Sequence, residues 1–169
     1  NPIEYEGTYT LPEAQLDRFL MKLTLDLPER DHEVEVLQRH ASGFNPRDLT
    51  AAGVTPVLDA AQLAAAQAAV ATVGSSADVL AYAVDLARAT RQSPSVTLGV
   101  SPRGATALLA ASKAWAWLTG FDAITPDHVQ AMALPELRHR IQLRPEAELE
   151  GVTPDTILRS ILQQVQVPI

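Results

Sequence analysis

The stretch TLGVSPRGATALLAASKAWAWLTG, residues 97–120, has the pattern of a long helix. Ser101 is a suitable N-cap, Pro102 fits the first helical position, and a run of Ala and Leu predicts a helix over residues 102–118. Arg103 is unusual in the first turn, because a helix N-terminus carries partial positive charge and prefers Asp or Glu. Gly104 lowers helix stability but lets another backbone segment or a ligand approach closely.

Other helix starts in the same chain make the position of Arg103 stand out. The order hydroxyl residue, proline, charged residue recurs as TPD at residues 125–127 and 153–155, where the charge is a carboxylate. An arginine and the free amides of a helix N-terminus both donate hydrogen bonds to phosphate, so SPR at residues 101–103 could form an anion site. The other interpretation is an ion pair between Arg103 and a surface carboxylate of this acidic chain.

The composition indicates one globular domain, or one domain with part of another. The 169 residues are 47% hydrophobic and 20% charged, which is enough to bury a core. The formal net charge of -7 argues against nonspecific nucleic-acid binding. The absence of cysteine excludes disulfides, Cys-ligated zinc and thiol nucleophiles. Since no apolar run is long enough for a transmembrane helix, we expect a cytoplasmic protein without a membrane span.

The hydrophobic pattern divides the chain near Pro28. Residues 12–19 predict a short helix, and MKLTLDL at residues 21–27 alternates like a half-buried strand. This strand has no obvious partner elsewhere in the chain, so we expect its sheet to be missing. From Pro28 onwards helical patterns dominate, and the loops are short enough for antiparallel packing. The predicted fold class is all-α, a bundle of about five or six helices preceded by a short helix–strand piece.

Within the bundle, the helices are expected at residues 28–41, 59–73, 75–91, 102–118, 125–140 and 153–165. Pro135 is expected to break or kink its helix, because proline lacks the amide hydrogen that the helix needs. Residues 96–98 are expected to be extended, and Ile141 and Leu143 to form a short strand within an otherwise irregular stretch.

Residues with the pattern of a catalytic or metal site are few. The four histidines, His32, His40, His128 and His139, lack the spacing of metal ligands, so no metal site is expected. No G-x-S-x-G motif and no glycine-rich phosphate loop occurs. The sequence therefore contains no complete catalytic apparatus.

Longer motifs occur along the chain in a fixed order. They are NPIEYEGTYTLPEAQLDRFLMKLTLDLP at residues 1–28, ATR at 89–91, LGVSPRG at 98–104, AWAWLTGFDAITPDHV at 114–129 and ELRHRI at 136–141. In this order they resemble MoxR-type AAA+ ATPases over essentially the whole chain. The pairing of EGTYTLPEAQLDRF with GVSPR makes the resemblance specific.

The resemblance implies roles for three residues. Asn1 matches sensor 1, which orients the attacking water or the γ-phosphate, and Arg18 of LDRF matches the arginine finger that reaches a neighbouring subunit's nucleotide. Arg103 of SPR matches sensor 2 on the helical lid. Each would stabilise charge on phosphoryl oxygens, for which the planar arginine fork is well suited. Residues 1–27 would then be the end of the ATPase core, and residues 28–169 the lid domain.

The resemblance also implies a longer parent protein. In this family the phosphate-binding loop and the acidic magnesium-binding strand lie upstream of the matched region, so the parent is expected to bind ATP and Mg²⁺ and to hydrolyse ATP. This chain alone is expected to hold neither. Family members are thought to form rings, commonly hexamers, and to mature protein complexes or insert metal cofactors, often with a von Willebrand factor A partner. The alternative is an independent helical module that binds a protein partner and no nucleotide.

One consequence of a missing sheet concerns the first 27 residues. Met21, Leu23, Leu25 and Leu27 share one face of the predicted strand and would have no sheet to join. We therefore expect residues 1–27 to be disordered, folded onto the helical part, or paired with another copy.

Overall fold

A computed structural model describes residues 13–168 of the chain. The helices are α1 (Glu13–Leu16), α2 (Arg30–Ala41), α3 (Ala60–Thr72), α4 (Ala77–Gln92), α5 (Pro102–Leu118), α6 (Pro126–Leu137), α7 (Pro145–Leu149) and α8 (Pro154–Gln164), and the strands are β1 (Val96–Leu98) and β2 (Gln142–Leu143). The predicted all-α character is confirmed. In the described residues seven helices follow Pro28, whereas about five or six were expected.

The described residues form two compact units. One contains residues 13–23 and 69–168, which we call the core unit, and the other contains residues 24–68. In the second unit no residue is buried, and α2 carries an exposed i,i+4 ion pair between Glu35 and Arg39. The domain boundary proposed at Pro28 stays a prediction.

The hydrophobic centre of the core unit lies among α4, α5, α6 and α8. Val79, Ala83 and Leu86 form a buried stripe along α4. The largest fully buried apolar side chains are Tyr82, Leu86, Leu108, Val100, Val129, Leu137 and Leu158. Each buried leucine contributes about 1.5–3 kcal/mol relative to an exposed one. Trp115 and Trp117 of α5 lie outside this centre and are 40% and 38% exposed.

Two helix starts follow the predicted capping chemistry closely. The Ser101 hydroxyl accepts a hydrogen bond from the Gly104 amide at 3.2 Å, and the Thr153 hydroxyl accepts one from the Thr156 amide at 3.1 Å. These bonds satisfy amides that have no partner inside the helix. Helix α5 therefore begins at Pro102 and ends at Leu118, the residues that the sequence predicts.

The extended segment expected at residues 96–98 is confirmed as β1, and β2 lies where a short strand was expected at Ile141 and Leu143. The connection after α6 also contains a helix that the sequence does not predict. Strands β1 and β2 pair antiparallel, with Val96 opposite Leu143, and α7 follows where an irregular stretch was expected. Of the break or kink predicted at Pro135, the break is wrong, because helix α6 runs through this proline to Leu137. Pro135 lies two positions before the last residue of α6, so its missing amide hydrogen removes one hydrogen bond near the C-terminal end of the helix.

The predicted strand at residues 21–27 is also wrong. No strand is present there, and Leu23, Leu25 and Leu27 are 68%, 91% and 88% exposed. A lone strand leaves its backbone groups unpaired, and no neighbouring strand is available to it in residues 13–168. Residues 13–23 instead belong to the core unit, where the Lys22 amide donates to the Pro135 carbonyl at 2.8 Å. Folding onto the helical part was one of the expected outcomes.

Candidate functional site

The start of α5 places Arg103 on the surface of the core unit. Its backbone carbonyl accepts a bond from the Thr106 hydroxyl at 2.8 Å, which belongs to ordinary helix geometry. Its side chain is exposed and makes no ion pair or hydrogen bond with any residue in the described range 13–168. The surface ion pair that the sequence left open for Arg103 is therefore absent from this range.

Two residues at the end of α4 fix the loop that leads into α5. The Thr90 hydroxyl accepts a bond from the Val100 amide at 2.9 Å, and Arg91 Nε donates to the Val100 carbonyl at 2.6 Å. Thr90 and Val100 are both fully buried, so these bonds satisfy groups that water cannot reach. The ATR motif thus holds the residue before Ser101 by both of its backbone polar groups.

Glycines allow the close packing on either side of Ser101. A Cβ atom on Gly99 would lie 2.7 Å from the backbone nitrogen of Arg91. A Cβ atom on Gly104 would lie 2.7 Å from Val100 Cγ1 and 3.0 Å from Arg140 Cδ. Side chains at these positions would force the neighbouring groups apart. The groups that lie close to Gly104 are the side chains of Val100 and Arg140, not the backbone segment or ligand that the sequence predicts.

Arg140 lies behind the start of α5 and binds the segment after α1. Its Nη1 donates to the Asp17 carboxylate at 2.6 Å, and its Nη2 donates to the carbonyls of Phe19 at 2.8 Å and Leu20 at 3.2 Å. Its Nε donates to the Glu136 carbonyl at 2.9 Å, and the side chain is only 2% exposed. All three nitrogens of the guanidinium are therefore used within the protein.

Asp17 connects this segment to α5 as well as to Arg140. Its Oδ2 accepts a bond from the Ser101 hydroxyl at 3.3 Å, so a carboxylate lies beside the N-cap of α5. A negative charge at that place stabilises the helix dipole. The first turn of α5 carries a cation, Arg103, so the negative charge that stabilises this helix N-terminus comes from Asp17.

Two titratable groups of α6 and the following turn lie next to Arg140. Glu136 is fully buried with its carboxylate 3.6 Å from Arg140 Nη2, and burial raises the pKa of Glu136 although the nearby guanidinium opposes the shift. His139 Nε2 lies 3.0 Å from the Phe19 carbonyl, to which it donates, and burial lowers the pKa of His139. Both shifts arise because the surroundings disfavour charge.

The structure places two of the three predicted site residues. Arg18 is exposed, directly follows Asp17, and makes no side-chain ion pair or hydrogen bond with the part of the chain described here. Because Asp17 bonds Ser101, the segment of Arg18 lies against the start of the helix that carries Arg103. Asn1, the predicted sensor 1, lies outside the described residues.

Sequence reasoning missed Arg140 and the role of the ATR motif in holding Val100. Arg140 lies in the ELRHRI motif, but nothing near it in the sequence shows its role, because its partners Asp17, Phe19 and Leu20 lie about 120 positions earlier. In residues 13–168 no group of three His, Cys, Asp or Glu residues could hold a metal ion. No helix in the same range has the length and apolar character needed to cross a membrane.

Comparison with known proteins relates this arrangement to a family. A model of the AAA lid domain matches residues 88–161, and a model of the ATPase family associated with various cellular activities (AAA) matches residues 1–21. Chaperone MoxR1 of Mycobacterium tuberculosis is 31% identical over 182 residues, which cover 99% of this chain and 45% of that protein. Protein MoxR of Paracoccus denitrificans is 34% identical over 180 residues, which cover 93% of this chain and 51% of that protein. The chain belongs to the MoxR family of AAA+ ATPases.

Two further comparisons extend this placement in the MoxR family. The uncharacterized protein YeaC of Bacillus subtilis is 42% identical over 169 residues, covering 100% of this chain and 51% of that protein. A crystal structure from Cytophaga hutchinsonii, whose ATPase assignment is provisional, superposes with a TM-score of 0.86 at 31% identity and covers 100% of this chain and 52% of that one. The MoxR-family chain described here thus spans about half the length of the curated relatives that it matches.

Proposed function

We propose that this chain is the lid-bearing part of a MoxR-like ATPase, and that Arg103 acts as sensor 2 by binding a phosphate oxygen of ATP. The observation that carries the proposal is the exposed Arg103 in the first turn of α5, whose side chain has no partner in residues 13–168. A guanidinium next to a helix N-terminus is a suitable donor for a phosphate group. The membership in the MoxR family supports the same role.

The neighbouring residues fit a fixed phosphate contact. Thr90 and Arg91 hold Val100, and Asp17 holds Ser101, so the turn that carries Arg103 is supported from two directions. Bound ATP would supply the energy of phosphoryl transfer, while Arg103 would bind and orient a phosphate group. On the strength of the family resemblance, we assign the Mg²⁺ ligands to the acidic strand that lies upstream of the matched region in MoxR-type ATPases.

We assign the arginine-finger role to Arg18 and the sensor 1 role to Asn1. Arg18 is exposed next to the anchored Asp17, as a residue that reaches a neighbouring subunit must be. The finger role requires a ring of subunits, and a hexamer is the form that the family suggests. Electrostatic stabilisation by such a finger contributes about 10³–10⁵-fold to the rate in related phosphoryl-transfer systems.

The cellular role we propose is chaperone-like. It rests on the relative named Chaperone MoxR1 and on family membership. ATP binding and hydrolysis would drive the maturation of partner proteins or the insertion of metal cofactors, together with a von Willebrand factor A protein, in the cytoplasm.

The sensor 2 role is tested by Arg103→Ala in the full-length protein. Loss of one preorganised donor to a phosphoryl group is expected to lower kcat for ATP hydrolysis by about 10²–10³-fold, measured by phosphate release. Arg159→Ala, an exposed arginine of α8, serves as the matched control and should leave turnover unchanged. An Arg103→Ala protein that stays folded and hydrolyses ATP at the normal rate would contradict the proposal and favour a helical interaction module.

A further inference from the structure

We propose that Arg140 is a positioning residue that fixes Arg18 and couples its placement to the start of α5. The inference rests on the proposed function, because it concerns how the finger and sensor 2 segments are held relative to each other. It assigns a role to a residue of the ELRHRI motif that touches neither nucleotide nor partner subunit in the proposed mechanism.

The first observation is that Arg140 binds the backbone on both sides of Arg18. Its Nη1 lies within hydrogen-bond distance of both the carbonyl and the carboxylate of Asp17, and its Nη2 bonds the carbonyls of Phe19 and Leu20. The guanidinium therefore holds the neighbours of Arg18 while the Arg18 side chain stays exposed. A planar fork with five N–H donors can make these bonds together, whereas a lysine ammonium cannot.

The second observation is that the same side chain packs against the first turn of α5. Its Cδ would lie 3.0 Å from a Cβ atom on Gly104, which places the arginine stem directly beside that turn. Asp17, held by Arg140, bonds Ser101 at the N-cap of α5. The residue before Arg18 and the residue two before Arg103 are thus in direct contact.

The third observation is that two more hydrogen bonds hold the segment after α1 against α6 and the turn that follows it. The Lys22 amide donates to the Pro135 carbonyl at 2.8 Å, and His139 donates to the Phe19 carbonyl at 3.0 Å. The Arg140 charge is compensated by Asp17 at 2.6 Å and by Glu136 at 3.6 Å. Separating the segment from the core unit would break the bonds of Arg140 to Asp17, Phe19 and Leu20 together with the Lys22 and His139 bonds.

A mechanical consequence follows from these contacts. Arg18 and Arg103 are attached to one network of mostly part-buried polar contacts, so a displacement of the first turn of α5 also displaces the backbone of Arg18. The geometry thereby links the contact between Arg103 and one nucleotide to the position of Arg18, which is proposed to reach the nucleotide of the neighbouring subunit. Placement errors of about 1 Å at reacting groups can lower rates by about 10²-fold, so Arg140 has a measurable part in turnover.

The experiment compares Arg140→Gln, Arg18→Ala and the double variant in the full-length ATPase. We expect Arg140→Gln to lower kcat by about 10²-fold with KM for ATP nearly unchanged. The double variant should be no slower than Arg18→Ala alone, because Arg140 acts through Arg18. Arg140→Lys should restore little of the loss, and Arg144→Gln, an exposed arginine of the same core unit, should behave like the wild type.

The outcomes separate this inference from the proposed function. If Arg18→Ala is impaired but Arg140→Gln is not, or if the two losses multiply in the double variant, the positioning role is overturned while the finger role stands. If Arg18→Ala hydrolyses ATP normally, the finger role fails and the positioning role fails with it.

A second measurement needs no activity and uses the chain as it stands. Hydrogen exchange of the Lys22 amide reports whether residues 17–22 remain docked, because that amide donates to the Pro135 carbonyl. We expect Arg140→Gln to speed this exchange by at least about 10-fold while amides in the centre of α5 stay protected. Unchanged protection at Lys22 would overturn the proposal.

Discussion

Arg103 and Asp127 occupy equivalent positions in α5 and α6, and the structure shows how one helix tolerates the opposite charge. Beside the N-cap of α5, Asp17 supplies a carboxylate that is held by the Ser101 hydroxyl and by Arg140. The negative charge that a helix N-terminus favours therefore comes from a distant part of the chain. Arg103 is then able to remain exposed without a partner in residues 13–168. A cation in the first turn of a helix can thus be offset by a carboxylate on a segment that packs against that turn.

Gly104→Ala tests the packing around Gly104, because helix propensity and packing predict opposite signs for the change in the free energy of unfolding. Helix propensity alone predicts that alanine would stabilise the protein by about 1 kcal/mol relative to glycine. The added Cβ would lie 2.7 Å from Val100 Cγ1, and Val100 is fully buried, so we expect destabilisation by about 1–3 kcal/mol instead. Urea unfolding measures the change, and the exposed Ala110→Gly on the same helix is the propensity control. A stabilised Gly104→Ala protein would show that the contact with Val100 relaxes without cost.

His139 gives the docking of residues 17–22 a dependence on pH. Burial lowers the pKa of His139 below its ordinary value of 6.5, and this effect outweighs the hydrogen bond to the Phe19 carbonyl, which by itself raises the pKa. The folded state therefore binds this proton less tightly than the unfolded state. The stability it contributes is present above pH 6.5 and is lost as the pH falls through the lowered pKa.

The measurement is the difference in melting temperature between His139→Gln and the wild type across this pH range. We expect the wild type to lose more stability than the variant on acidification, while His32→Gln at an exposed site follows the wild type. Glu136 acts in the opposite sense, since its raised pKa gives stability below pH 4.5 that is lost as the pH rises through the folded value. Parallel curves for His139→Gln and the wild type would contradict the prediction.

Among the helices, those with strong local patterns could be predicted and those that depend on distant contacts could not. Helix α5 has a Ser-Pro start and a regular apolar stripe, so its bounds follow from nearby residues. Helix α7 has only five residues, too few to establish a periodic pattern. Alternation alone predicts a strand at residues 21–27, but a strand also needs a neighbour, which the described residues do not provide.

The candidate site divides in the same way. Arg18 and Arg103 could be found in the sequence because each belongs to a motif with a recognisable order. Arg140 belongs to the ELRHRI motif, but its role could not be predicted, because a buried arginine is explained only by carbonyls that folding brings to it from residues 17–20. Exposed residues proposed to contact nucleotide, such as Arg18 and Arg103, are therefore easier to predict from the local sequence than a buried residue that positions them, such as Arg140.

In the chain as a whole, burial is distributed unevenly between the two units. The core unit buries the side chains of α4, α5, α6 and α8, whereas residues 24–68 contain no buried residue. Helix α2 has only 12 residues, and isolated helices shorter than about 12–15 residues are marginal in water. Its exposed Glu35–Arg39 pair adds only about 0.3–0.5 kcal/mol. The two units should therefore differ strongly in the free energy of local opening.

Hydrogen exchange on this chain tests that difference. We expect amides of α2 to exchange within about 10-fold of the rate of an unfolded peptide, because opening α2 exposes little new apolar surface. Amides in the middle of α5 and α6 should be slower by several orders of magnitude, since they open only when the buried core is disrupted. Leu37→Ala, at a 69% exposed position, should leave the melting temperature unchanged, while Leu108→Ala, at a fully buried one, should cost about 2–5 kcal/mol. Strong protection of α2 together with a large loss from Leu37→Ala would show that residues 24–68 bury apolar surface in solution.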